Sequence, residues 1–148
     1  MKKLTKSLPQ LDEQLCFSLY AASHAMNKVY RKRLEPLGIT YSQYLVLLIL
    51  WEQNELTVSG IGERLFLNSA TVTPLLKRME AQGLISRERA VTDERQVIIT
   101  LTTSGDALRK QAAALSAAVS CATNCTPSEA GTLKQQLIKL RGALLQHA

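Results

Sequence analysis

Residues 57–101 constrain this chain more than any other stretch. They read TVSGIGERLFLNSATVTPLLKRMEAQGLISRERAVTDERQVIITL. Thr57 stands before a short amphipathic segment over 58–65, and Asn68 stands before a second over 69–82. Both are residue types whose side-chain oxygen accepts from a free N–H in the first turn of a helix. The second segment sets Val72, Leu75, Leu76 and Met79 on one stripe, and Gly83 follows where a left-handed residue closes a helix. Pro74 breaks the rule against proline inside a helix. The unbroken stripe nevertheless predicts one helix, bent locally at Pro74. Residues 84–89 and 97–101 then read as strands, with 90–96 as a charged tip. Two short helices followed by a hairpin is the pattern of a winged helix-turn-helix, which lays one helix in a DNA major groove and a loop beside it.

The flanks are helical. Leu15, Leu19, Ala22, Met26, Val29 and Tyr30 recur at three- and four-residue steps, predicting a helix over 11–34 that Pro36 and Gly38 end. A second helix opens at Thr40, with Gln43 at capping-box spacing. It runs through YLVLLILW, apolar nearly all round, as a buried central helix should. After TTSG an Ala-rich helix is expected over about 106–121. Thr126-Pro127-Ser128-Glu129 then restarts a last helix that carries Leu133, Leu137, Leu140 and Leu144 on one stripe. Apolar stripes on the helices at both ends imply a dimerisation bundle. The expected fold is mainly α with a small β-wing, a single domain over 1–148. Its winged helix covers about 40–101 and its dimerisation helices about 8–35 and 103–148.

A chain of 148 residues suits one core. The net charge of +6 favours a polyanionic partner. Residues 1–39 carry seven Lys/Arg against three acids, while residues 57–101 carry six against five. Any positive face on the winged helix must therefore come from placement in three dimensions. The longest apolar run, 44–51, is too short to span a bilayer, and the start has no apolar core of a signal peptide, so a cytoplasmic protein without membrane contact is expected. Three cysteines make an odd count that argues against a disulfide scaffold. Neither His24 nor His147 has zinc-finger spacing to them, and no metal, cofactor or enzymatic activity is expected.

GERLFLNSATVTPLLKRMEAQGLISR followed by DERQVIITLTTSG resembles the MarR family of dimeric winged-helix transcription regulators, over nearly the whole chain. LDEQLCFSLYAAS and KVYRKRLEPLGITYSQYLVLLILWE are similar to its organic-hydroperoxide-sensing branch, the OhrR-like repressors. The resemblance implies that Cys16 is the peroxide sensor and that Tyr30 and Tyr41 hydrogen-bond to it from the partner subunit, with Tyr20 nearby. It also implies that Cys121, in the helix after the wing, is the resolving thiol of the two-cysteine form. Cys125 has no counterpart and stays the alternative resolver; if both are helical, the two thiols share a face. The implied protein is a homodimeric repressor. It holds an A/T-rich, pseudo-palindromic operator in double-stranded DNA and releases it when an organic hydroperoxide oxidises Cys16.

The chemistry fits those residue types. A thiolate attacks a peroxide, and the resulting sulfenate must meet a second thiol before it over-oxidises. The plainer readings stay open: Cys16 as a small buried filler, Tyr30 and Tyr41 as packing residues, Cys121 and Cys125 as fillers of an Ala-rich interface. On the DNA side, Ser69, Thr71, Thr73, Lys77 and Arg78 sit on or beside the polar face of the presumed recognition helix, where hydroxyls and cations suit phosphates and base edges. Arg95 resembles the family's minor-groove arginine, drawn by the potential of a narrow A/T groove. Asp93 is expected to position Arg95 through a local ion pair. Three rivals remain. One is a regulator released by a small phenolic ligand. Another is a thiol peroxidase, although Cys16 lacks a thioredoxin-like strand–helix setting. The third is a zinc-dependent module built on Cys121 and Cys125.

Overall fold

The computed structural model describes residues 8–148. Its backbone divides into two compact units, Met1–Lys110 and Gln111–Ala148. The first unit begins with a short 3-10 turn, Leu11–Glu13, and then helix α1, Leu15–Leu34. The helix expected from 11 is therefore broken at Gln14. That residue is extended, with φ −88° and ψ 123°, and its side chain donates back to the Gln10 carbonyl at 3.1 Å. A second 3-10 turn, Glu35–Leu37, follows α1, and Gly38 leaves it in the left-handed region.

Helix α2, Tyr41–Glu52, has the expected capping box. The Gln43 N–H donates to Thr40 Oγ1 at 3.3 Å, and the Thr40 N–H donates to Gln43 Oε1 at 3.0 Å. As its all-round apolar sequence requires, α2 is the buried axis of this unit and packs on α1, on helices α3 (Val58–Leu65) and α4 (Ser69–Ala81), and on strand β3 (Val97–Leu101). Its Val46, Leu47, Ile49 and Leu50 join a core completed by Leu34, Ile61, Val72, Leu75, Leu76, Met79, Ile85 and Ile99.

The caps of α3 and α4 are the expected ones. Thr57 Oγ1 accepts from the Gly60 N–H at 3.0 Å, and Asn68 Oδ1 accepts from the Thr71 N–H at 3.0 Å. Helix α4 runs through Pro74 without interruption. Strand β2, Ile85–Arg89, pairs antiparallel with β3 from Ile85↔Leu101 to Arg89↔Val97. A short strand that the sequence did not predict, β1 at Leu56–Thr57, pairs with the other edge of β3, giving the order β1-β3-β2.

Beyond the wing the expected single helix starts earlier and is interrupted. Thr102 caps α5, Thr103–Ala107, and α6, Arg109–Ala122, begins after Leu108. Gly105 explains why LTTSG ends in glycine. A Cβ there would collide with the Leu84 carbonyl oxygen. The same seat is tied by the Thr102 N–H to Leu84 O at 3.1 Å and by Thr102 Oγ1 to Gly83 O at 2.6 Å. Gly83 itself has φ 75°, a conformation that costs glycine least.

Helix α7, Pro127–Leu145, opens on a second capping box, with Thr126 and Glu129 bonded at 3.1 and 2.8 Å. It buries no residue, and Leu133, Leu137, Leu144 and Leu145 are exposed. In α1, Leu15, Tyr20 and Met26 are likewise exposed. Among the described residues no single helix is long and apolar enough to cross a membrane.

Candidate nucleic-acid interface and redox centre

The N-terminal turns of α3 and α4 and the base of the wing enclose an open cleft of about 310 Å³. Ser69, Thr73 and Arg95, all expected to face DNA, line it together with Ser59, Arg87 and Gln96. Ser69, Thr73 and Lys77 follow at four-residue steps on α4, so they form one ridge. Thr71 and Arg78 are exposed on the other flank of the helix. The Thr71 hydroxyl donates to Asn68 Oδ1 at 3.1 Å, so it serves the cap. Ala70 and Pro74, both exposed, stand between the two flanks.

The wing tip holds Arg95 differently from expectation. Asp93 makes no ion pair with its guanidinium. Instead Asp93 Oδ1 accepts from the Arg95 backbone N–H at 3.0 Å, and the Asp93 carbonyl accepts from the Gln96 N–H at 3.0 Å. This Asp-based turn fixes the main chain and leaves the arginine side chain exposed. Arg89 adds a brace, donating to the Glu94 carbonyl at 3.1 Å.

Arg87 was not singled out from the sequence. Only 18% of its side chain is exposed, its Nη1 lies 3.8 Å from Glu80 Oε1 of α4, and its Nε is buried without a hydrogen-bond partner. A legible signal existed: in ISRER, Arg87 alternates onto the same side as Ile85, the side that faces inward. A cation there is either satisfied by a neighbour or turned toward a ligand.

The residues expected to carry redox chemistry are dispersed. Cys16 is the second residue of α1 and is exposed. Tyr20, one turn on, is exposed and packs edge-on to His24 with ring centroids 4.3 Å apart. Tyr30 and Tyr41 are brought together from α1 and α2, with ring centroids 4.5 Å apart, and Tyr44 stands 5.8 Å from Tyr30. Burial raises the pKa of Tyr30, Tyr41 and Tyr44 above the usual phenol range, and for Tyr30 and Tyr44 the neighbouring phenols add to it. All three therefore keep their protons, and their capacity to donate, at neutral pH. Yet Tyr30 lies fourteen residues beyond Cys16 on α1, a rise of about 21 Å. Cys16 and the Tyr30–Tyr41 pair of one chain do not meet.

Cys121 is exposed near the end of α6. Cys125 is not helical, so the two thiols do not share a helix face. Helix α6 stops at Ala122, Asn124 takes φ 54°, and Cys125 lies half-buried in the turn, its Sγ 3.5 Å from the Thr123 carbonyl. Among the described residues no cluster of three His, Cys, Asp or Glu side chains could hold a metal ion.

A family model described as transcriptional regulator SarA/Rot matches residues 26–112. The organic hydroperoxide resistance transcriptional regulator of Bacillus subtilis is 55% identical over 103 residues, which cover 70% of each chain. This chain belongs to the MarR/SarA-type transcriptional regulators. Two solved structures of AbfR, a protein of Staphylococcus epidermidis, share the fold of this MarR/SarA-type regulator. Reduced AbfR bound to DNA is 44% identical, with a TM-score of 0.76, covering 93% of this chain and 94% of that one. Disulfide-formed AbfR is 48% identical, with a TM-score of 0.62, covering 88% and 91%. The winged helix of this MarR/SarA-type regulator presents its hydroxyls and arginines along one cleft.

Proposed function

We propose that this MarR/SarA-type regulator is a homodimeric repressor that releases its operator when an organic hydroperoxide oxidises Cys16. The observation that carries the reading is the separation on α1. An exposed thiol stands at one end, and proton-bearing phenols stand about 21 Å away at the other, so a second copy laid antiparallel would bring each thiol to the other's tyrosines. The apolar stripe exposed on the same helix supplies the association. Support for the oxidant comes from the Bacillus relative, an organic hydroperoxide resistance regulator. Support for switching comes from AbfR, solved reduced on DNA and also in a disulfide form.

In the first step the Cys16 sulfur takes the terminal oxygen of the hydroperoxide. The O–O bond breaks, an S–O bond forms, an alcohol leaves, and sulfur loses two electrons. In the second step the partner's resolving thiol displaces that oxygen as water and forms the disulfide. Cys121 is the better placed resolver, because it is exposed whereas Cys125 is half-buried and turned to a carbonyl. The reaction is stoichiometric, and release follows from a shift of the dimer toward a spacing of recognition helices that no longer fits successive grooves. On DNA, Ser69, Thr73, Lys77 and Arg87 meet the major-groove side, Thr71 and Arg78 flank it, and Arg95 enters the minor groove of an A/T-rich operator.

The test is an operator titration with and without cumene hydroperoxide. Cys16→Ser is expected to bind as the reduced wild type does and to ignore peroxide. Cys121→Ser is expected to form the sulfenate, fail to form a covalent dimer on non-reducing gels, and over-oxidise more readily, while Cys125→Ser keeps the covalent dimer. A Cys16→Ser protein that still releases DNA removes Cys16 as sensor. A cross-link that survives in Cys121→Ser and vanishes in Cys125→Ser reassigns the resolver. A second reading draws on the cleft of about 550 Å³ beside Tyr41, lined by Asn27, Arg31, Glu35 and Ser42 among others, whose arginine and phenol suit a small phenolic acid. Release by such a ligand in Cys16→Ser, without peroxide, would favour it.

A further inference from the structure

Among the described residues, Gln43 is the polar side chain that the core encloses, with 3% exposure. Its place in the α2 capping box uses only its carbonyl oxygen, which accepts from the Thr40 N–H. The amide nitrogen reaches further and donates to Gln82 Oε1 at 2.8 Å. Gln82 is the C-cap residue of α4, and its own amide nitrogen donates to the Gly38 carbonyl at 3.3 Å. The bonds run head to tail: Thr40 N–H, Gln43 amide, Gln82 amide, Gly38 carbonyl. Turning either amide over would set donor against donor or acceptor against acceptor, so the partners fix both orientations.

The chain contains its own control. The other capping box, at α7, has the carboxylate of Glu129 in the same N3 position and serves its cap as well. A carboxylate at position 43 would cap equally but would have no donor for Gln82 Oε1. The amide at 43 is therefore required by the link and not by the cap. The link joins the first turn of α2, where Tyr41 leans on Tyr30, to the end of the helix that carries Ser69, Thr73 and Lys77. One end of it is buried, where an unmade hydrogen bond costs the full desolvation of its groups, so the two helix ends move together.

We propose that the Gln43–Gln82 amide pair couples the tyrosine site to the recognition helix. Gln43 and Gln82 act as positioning residues that carry a displacement of Tyr41 into α4. This rests on the redox reading above, in which oxidation of Cys16 changes what Tyr30 and Tyr41 bond to. The experiment uses the full-length dimer and measures operator affinity before and after cumene hydroperoxide, with the oxidation state of Cys16 followed by mass spectrometry. Wild type is expected to weaken about 100-fold on oxidation and Gln82→Leu only about 10-fold or less, a loss within the usual range of allosteric coupling. Reduced Gln82→Leu should bind within about threefold of wild type, because the cap of α2 is intact and position 82 is exposed; the cost of the unpaired Gln43 amide should appear as a lower urea midpoint. Gln82→Glu, which keeps the acceptor for Gln43 and gives up only the exposed bond to the Gly38 carbonyl, should keep most of the wild-type ratio. If wild type releases and Gln82→Leu releases as completely at equal Cys16 oxidation, the coupling is overturned alone. A Gln82→Leu protein that has lost operator affinity while reduced also overturns it, since the link would then only build the helix. If wild type stays on DNA with Cys16 fully oxidised, the redox reading falls and the coupling falls with it.

Discussion

The winged helix and helix α1 treat their apolar residues in opposite ways. In α4, Val72, Leu75, Leu76 and Met79 are all closed off from solvent within one chain. In α1, built on the same three- and four-residue spacing, Leu15 and Tyr20 are each 63% exposed, and Leu34 at the far end is the one fully buried residue. Periodicity is thus the same signal with two outcomes: a stripe that finds its partner inside the chain, and one that stays exposed on it. The winged helix closes its core within a single copy. On the proposed reading the sensing half is not complete in one copy, and the surface that would complete it also supplies the free energy of association.

That contrast can be broken at three points. The largest effect is expected at Leu76, fully buried at the centre of the module. Leu76→Ala should cost about 2–5 kcal/mol in urea denaturation, and operator binding should fall with it. Next is Arg95→Ala, which should weaken operator binding by about 1–3 kcal/mol and lower the salt slope by about one unit. Since Arg95 is exposed and its turn is held by Asp93 and the backbone, stability and Cys16 oxidation should not move. Affinity that is unchanged across salt concentrations would take Arg95 off the DNA. The smallest free-energy change of the three is expected at Leu15→Ala, within about 0.5 kcal/mol when referred to the isolated chain. Its penalty should appear instead as a weaker dimer in sedimentation, so its unfolding midpoint should depend more steeply on protein concentration. A Leu15→Ala midpoint lowered as far as that of Leu76→Ala, and independent of concentration, would erase the distinction.

The parts of the fold that were legible in the sequence are those fixed by local chemistry. The caps at Thr40, Thr57, Asn68 and Thr126, the left-handed Gly83 and the limits of β3 each follow from a residue type acting within about four positions. What escaped depends on partners distant in sequence. Strand β1 is two residues long and exists only because Leu56 and Thr57 lie against Ile99 and Ile98. The interruption at Leu108 follows the docking of α5 onto the wing base, where Gly105 meets Leu84 and the Trp51 indole donates to the Gly105 carbonyl at 3.2 Å. For the candidate site, the four-residue spacing of Ser69, Thr73 and Lys77 on one helix was legible, and so was the place of Arg95 on the wing. The Asp93 contact departs from the expected ion pair because an Asp two residues before an Arg suits an ion pair and a backbone turn alike, and the turn leaves the cation solvated. Arg87 was legible from its alternation with Ile85, but its Glu80 partner and the Gln43–Gln82 bond needed the fold, since neither pair lies within one turn in sequence.

The length of α1 has a consequence for genetics. If each sensing centre draws its thiol from one subunit and its phenols from the other, then Cys16→Ser and Tyr30→Phe damage different halves of the same centre. A heterodimer of the two defective chains would hold one centre with both lesions and one with neither. Two alleles that are each blind to peroxide when alone would restore one working centre to a mixed pair, and the dimer, not the polypeptide, would be the unit on which selection acts.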